Sequence, residues 1–83
     1  MDRLEAMRLY TRIIELGSFT AAADDLNLPR ATVTHAIKRL EAQLGAQLLQ
    51  RTTRRVHATR DGETYYGHCL RLLADVDEVE TDF

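Results

Sequence analysis

Arg30, Ala31, Thr34, His35 and Lys38 fall on one side of a helical repeat in the stretch PRATVTHAIKRL, opposite an apolar stripe of Val33, Ile37, Leu40 and Leu44. That side offers cations, a hydroxyl, an imidazole and one small residue, and it holds no large apolar group. Such a face suits a DNA major groove, where donors meet guanine O6 and N7 and a small residue leaves room for a thymine methyl. It equally suits the solvated side of an ordinary helix pair, and this stretch alone does not separate the two. A second cationic group, Arg51, Arg54 and Arg55, sits in QRTTRRVHATRDG. Guanidiniums there can bind phosphates or enter a narrow, electronegative minor groove. An ordinary solvated loop is the alternative.

Other chemistries fit poorly. His68 and Cys69 are neighbours in sequence, so on a helix they point roughly 100° apart, a poor arrangement for a base and its nucleophile. His35, His57, His68 and Cys69 do not match a zinc spacing. There is no glycine-rich phosphate loop, and the glycines read as ends of elements. The expectation is a protein that is not an enzyme, with no catalytic residue, no metal and no cofactor. Cys69 reads as a buried residue of a helix seam.

The distribution of charge favours the nucleic-acid reading. The formal net charge is −2, but it is unevenly placed. Residues 1–29 hold three arginines against five acids, net −2. Residues 30–60 hold Arg30, Lys38, Arg39, Arg51, Arg54, Arg55 and Arg60 against Glu41 alone, net +6. Residues 61–83 hold Arg71 against seven acids, net −6. Local field, not total charge, governs attraction to phosphate.

The elements that must position these groups can be read from the same sequence. A chain of 83 residues makes one domain with a modest core. Leu4, Met7, Tyr10 and Ile14, widened by Ile13, recur at helical spacing from Asp2 to Leu16, and Gly17 ends that helix. This helix is structural, with Tyr10 in the core. Ser18 stands as an N-cap before Phe19, Ala22, Ala23 and Leu26, which form the stripe of a second, short helix. Asn27-Leu28-Pro29 makes the turn, and the third helix runs from Arg30 to a stop at Gly45. The pair of helices is a helix-turn-helix. Two short strands are expected near Gln50–Thr52 and Val56–Ala58, forming a basic wing. Thr59 caps a last helix, in which Tyr65, Cys69, Leu72, Val76, Val79 and Phe83 are spaced 4, 3, 4, 3, 4. That is a heptad seam for a partner copy, while Tyr66, Leu70 and Leu73 beside it suit packing on the domain core. No apolar run approaches a membrane span, Met1-Asp2-Arg3-Leu4 does not open a secretory signal, and a single cysteine builds no disulfide framework. The cytoplasm is the default location.

With these residues in place, the chain resembles the N-terminal DNA-binding domain of a LysR-type transcriptional regulator. The resemblance rests on Gly17-Ser18-Phe19-Thr20 with the alanines Ala21–Ala23, Val33-Thr34-His35 leading to Ile37, Leu40-Glu41, Leu44-Gly45, Leu48-Leu49, Arg51-Thr52, and Thr59 through Gly62. It implies a mainly α fold: a winged helix-turn-helix over 1–59, with a three-helix core and a two-stranded wing, then a linker and dimerisation helix over 60–83. It also implies that a larger effector-binding domain is missing and that a small-molecule effector would act only through it. Carried over by position, Arg30, Ala31, Thr34 and His35 face base edges, Lys38 contacts phosphate, Ser18 and Thr20 bind phosphate, and Arg51 through Arg55, Thr52 included, form the wing.

The chain departs from the family pattern at several positions. Pro29 stands where Ser usually caps the recognition helix, so the cap must come from elsewhere or the helix must begin a residue away. Arg30 replaces a frequent Gln, exchanging an adenine-favouring amide for a guanine- or phosphate-favouring guanidinium. Thr34 stands where Ser is usual. Ala58 and Asp61 replace apolar residues, so the second wing strand should pack lightly. The resulting expectation is a bacterial transcription factor module that binds an interrupted palindrome of double-stranded DNA as a homodimer, with no membrane partner. The competing expectation is a helical protein–protein module whose basic face meets an acidic partner.

Overall fold

Local chemistry sets the start and stop of nearly every element in the computed structural model, which describes residues 1–82. The Asp2 carboxylate accepts the Glu5 amide at 2.8 Å and opens α1 (Arg3–Leu16). Gly17 closes it in the left-handed region, at φ +68°. Ser18 caps α2 (Phe19–Leu26), its hydroxyl accepting the Ala21 amide at 3.1 Å. Asn27, at φ +56°, ends α2. Pro29 precedes α3 (Arg30–Leu44) and supplies no side-chain cap, so this helix begins at Arg30 without one. Thr59 caps α4 (Arg60–Thr81): its hydroxyl accepts the Gly62 amide at 3.0 Å and donates to the Gln47 carbonyl at 2.6 Å.

The wing is an antiparallel pair, β1 (Leu49–Arg51) and β2 (Val56–Ala58), with Leu49 opposite Ala58 and Arg51 opposite Val56. The first strand begins and ends one residue earlier than the Gln50–Thr52 expected from sequence. Thr52 is drawn out of the ladder because its N–H and hydroxyl both donate to the Arg55 carbonyl, closing a four-residue turn. Val56 and Ala58 are half-buried, so β2 packs lightly, as the small residue at Ala58 implies.

The core joins Leu9, Tyr10 and Ile13 of α1 to Phe19, Ala22 and Ala23 of α2 and to Val33, Ile37 and Leu40 of α3, with Leu48, Leu49, Cys69 and Leu73 closing it. Leu4 and Leu44, both on the expected stripes, are exposed at 42% and 39%, whereas Leu9, outside the stripe, is fully buried. The reason is that α1 packs against all three other helices, so a single stripe does not describe its buried arc. Its Tyr10 hydroxyl lies 3.0 Å from the carbonyls of both Leu48 and Gly62, tying α1 to the wing and to α4. Gly62 lets the chains approach this closely: a Cβ there would stand 2.0 Å from the Leu48 carbonyl oxygen. Gly62 and Gly67 both lie inside α4, which corrects the reading that all glycines end elements.

The last helix runs back along α1. The Tyr66 hydroxyl donates to Glu15 at 3.0 Å, Arg8 pairs with Asp77 at 3.0 Å, and the Tyr10 and Tyr65 rings meet edge to face at 5.4 Å. This docking divides the expected heptad seam. Cys69 is enclosed in this chain's own core at 0% exposure and is not open to a partner, while Tyr65 packs half-buried against that core. Leu72 and Val79 stand out at 51% and 64%, with Val76 half-buried between them. Of the flanking residues, Leu73 is buried and Tyr66 half-buried, but Leu70 is exposed rather than packed inward. Phe83 lies outside the described residues.

The architecture is therefore a three-helix core, mainly α, bearing a two-stranded wing and followed by one long helix.

Candidate nucleic-acid interface

α3 turns Val33, Ala36, Ile37 and Leu40 into the core, and this leaves its other side outward. Arg30, Ala31, His35 and Lys38 are exposed there, and Thr34 is half-buried. Arg51, Thr52, Arg54 and Arg55 are exposed on the wing. The two groups meet at a groove of about 740 Å³ lined by Phe19, Arg30, Thr34, Lys38, Gln50 and Arg51 among others. A shallower groove of about 190 Å³ runs from Ser18 and Thr20 at the start of α2 past Arg30 to Arg51, Thr52, Arg54 and Arg55. His35 lies apart from both, beside Arg39, Arg3 and Gln43 in a groove of about 260 Å³ between α1 and α3. Ala31 lines none of the three.

Several sequence-selected residues are already engaged within the chain. The Ser18 hydroxyl caps α2, and the Thr52 hydroxyl accepts the Arg55 amide at 3.2 Å while donating to the Arg55 carbonyl. The Thr20 hydroxyl accepts from the Arg30 guanidinium at 2.6 Å. Three other residues that sequence reasoning did not single out for the site hold it in shape. The Phe19 ring carries two guanidiniums, Arg51 with its Cζ 4.4 Å from the ring centroid and Arg30 at 5.7 Å. Each such contact contributes about 0.5–1 kcal/mol at exposed positions. Glu41, at the end of α3, accepts the Leu48 and Leu49 amides at 2.7 and 3.3 Å and so fixes the root of the wing to α3. Gly17 accepts the Val56 amide at 3.1 Å and lies under Arg55, whose Nε would stand 2.6 Å from a Cβ at that position. Phe19 read as core, which it is. The guanidiniums above it come from residues 11 and 32 positions away, and no local pattern signals that.

The ion pairs of the described residues are Arg8–Asp77, Arg12–Glu15 and Arg12–Asp25, and none involves a cation of α3 or the wing. Arg12 holds the Asp25 carboxyl below its ordinary range through their hydrogen bond, which joins α1 to α2 at the surface. The positive field of α3 and the wing is left unneutralised, which is what a polyanion requires. The buried groups behave differently. Burial pushes the Cys69 thiol up, away from the reactive thiolate, and pushes Tyr65 up to about 12. Among the described residues no cluster of three His, Cys, Asp or Glu side chains could hold a metal ion, and no helix is long and apolar enough to cross a membrane.

Comparison with known proteins places this geometry. The family model described as bacterial regulatory helix-turn-helix protein, lysR family, matches residues 4–63. An HTH-type transcriptional repressor of Pseudomonas aeruginosa is 46% identical over 80 residues, covering 96% of this chain and 25% of the relative. The HTH-type transcriptional regulator YhjC of Escherichia coli is 48% identical over 80 residues, covering 96% of this chain and 27% of the relative. The chain thus spans about a quarter of the length of the curated relatives it matches. Among solved structures, the BenM DNA-binding domain in complex with benA site 1 DNA superposes with a TM-score of 0.91 at 36% identity, covering 98% of this chain and 90% of that one. The CbnR DNA-binding domain in complex with DNA superposes with a TM-score of 0.89 at 25% identity, covering 95% of this chain and 91% of that one.

Proposed function

The chain belongs to the lysR family of bacterial regulatory helix-turn-helix proteins, and from that premise we propose that it binds double-stranded DNA sequence-specifically as the DNA-binding part of a transcriptional regulator. One observation carries the reading: Arg30 and Lys38 of α3 and Arg51 of the wing line one groove, and no cation of α3 or the wing takes part in an ion pair of the described residues. In this reading α3 enters a major groove. Ala31, Thr34 and His35 meet base edges, and Lys38 neutralises phosphate further along. Ser18 and Thr20 approach the backbone at the start of α2, and Arg51, Thr52, Arg54 and Arg55 lie on the flanking minor groove.

Residues 1–59 act as the reading domain and 60–83 as the linker helix, which pairs two copies through Leu72, Val76 and Val79. Recognition helices a helical turn (~34 Å) or a multiple of it apart then match an interrupted palindrome. A small-molecule effector would act only through an effector-binding domain outside these residues. The protein works in the cytoplasm, and its role is binding, not catalysis: Cys69 is enclosed and its thiol is pushed up by burial.

The test is duplex binding followed across salt concentrations. Phosphate neutralisation predicts that log affinity falls linearly with log salt, by about 0.9 per phosphate engaged. A flat response would hand the basic face to an acidic protein partner instead.

A further inference from the structure

Arg30 opens the recognition helix and by sequence belongs with the base-reading residues, but its guanidinium is turned back toward α2. It donates to the Thr20 hydroxyl at 2.6 Å and lies over the Phe19 ring. Arg51 reaches the same ring from β1, 4.4 Å from its centroid. The two cations therefore come from separate elements and share one aromatic surface. That surface is itself nearly buried and so holds a fixed position. Both also line the groove between α3 and the wing and the groove from the start of α2 to the wing, where an anion would offset the like charge of the two guanidiniums.

We infer that Phe19 is a positioning residue that braces Arg30 and Arg51 as a clamp on a single backbone phosphate, so that Arg30 sets register rather than reading a base. The inference rests on the DNA-binding reading above. It assigns base discrimination at the start of α3 to Ala31, Thr34 and His35 without Arg30. It also explains how a guanidinium replaces the amide usual at this position without placing a guanine-seeking group in the groove: Thr20 and Phe19 hold it at the backbone.

The experiment uses the 83-residue chain, a consensus duplex selected with it from random DNA, and a set of that duplex carrying one neutral methylphosphonate at a time. Arg30→Gln and Arg51→Gln should each weaken binding to the unmodified duplex roughly tenfold, the scale of a lost charge-assisted hydrogen bond. Both losses should shrink below about twofold, the ordinary scatter of additivity, at one and the same methylphosphonate position. Selection repeated with Arg30→Ala, which removes the guanidinium without adding a base-reading amide, should return the parent consensus. Phe19→Leu, checked to unfold at the parent's temperature, should bind the unmodified duplex more weakly and lose nothing further at that position. The inference is overturned if the two arginine losses vanish at different positions, or if Arg30→Ala changes a base in the consensus. If the parent chain binds no duplex at all, the DNA-binding reading falls and takes the clamp with it.

Discussion

Thr34 and His35 differ from Arg54 in what they can do for binding, since a base edge carries sequence information and a phosphate does not. Thr34→Ala or His35→Ala should therefore flatten preference at one base pair of each half-site, a loss of about 1–3 kcal/mol in discrimination. Arg54→Ala should weaken specific and scrambled duplexes alike and lower the salt slope by about 1. Competition binding with both duplexes checks this, and equal losses for all three variants would contradict it. A second outcome at this scale concerns the buried tyrosines. Tyr65 sits at about 12 against an ordinary 10, and Tyr10 is pushed up in the same sense, in both cases chiefly by burial. The unfolded chain then loses these protons first, so their contribution is intact below the unfolded value and is lost as pH rises from about 10 towards 12. The urea midpoint should be lower above about pH 10 than at neutral pH, and Tyr65→Phe should reduce that difference. The outward residues of α3 were legible because exposure on one helix follows a 3.6-residue period. Phe19 beneath Arg30 and Arg51 was not, because that contact is made across three elements.

Element boundaries follow the caps. Ser18, Asn27, Gly45 and Thr59 all stand where their backbone and side-chain chemistry places them, and each could be read directly. The first wing strand was read one residue late because Thr52 resembles a strand residue locally, while its hydroxyl closes the turn on Arg55. The heptad on α4 was read whole, but α4 had to dock on α1 first, and Tyr65 and Cys69 went to that contact. The junction at Gly62 makes a direct test of this packing. A Cβ there meets the Leu48 carbonyl oxygen at 2.0 Å and the Tyr10 hydroxyl oxygen at 2.5 Å, and the first is backbone that cannot swing aside. Gly62→Ala should cost at least about 1–3 kcal/mol, and urea unfolding measures it. Thr59→Ala should cost about 1 kcal/mol or more, since it removes both the α4 cap and the bond to Gln47. A Gly62→Ala chain as stable as the parent would show that α4 does not approach the wing this closely.

The whole molecule is polarised: a net +6 over residues 30–60 against −6 over residues 61–83. With overall charge near zero, only this separation gives it a face for a polyanion. The exposed Leu72 and Val79 add an apolar strip away from that face. If that strip pairs two copies, Val79→Asp should raise the concentration at which dimers form in sedimentation experiments and weaken binding to a two-half-site duplex, while a single half-site is bound as before. An unchanged dimer would place the contact elsewhere. The central claim, that the α3 face reads DNA sequence, is tested most directly by selection from a random double-stranded library with the enriched pool rebound at two salt concentrations. The account predicts an inverted repeat with half-sites a helical turn (~34 Å) or a multiple of it apart, bound less tightly as salt rises. Salt-sensitive binding with no enriched sequence, or no binding at low salt, would contradict it.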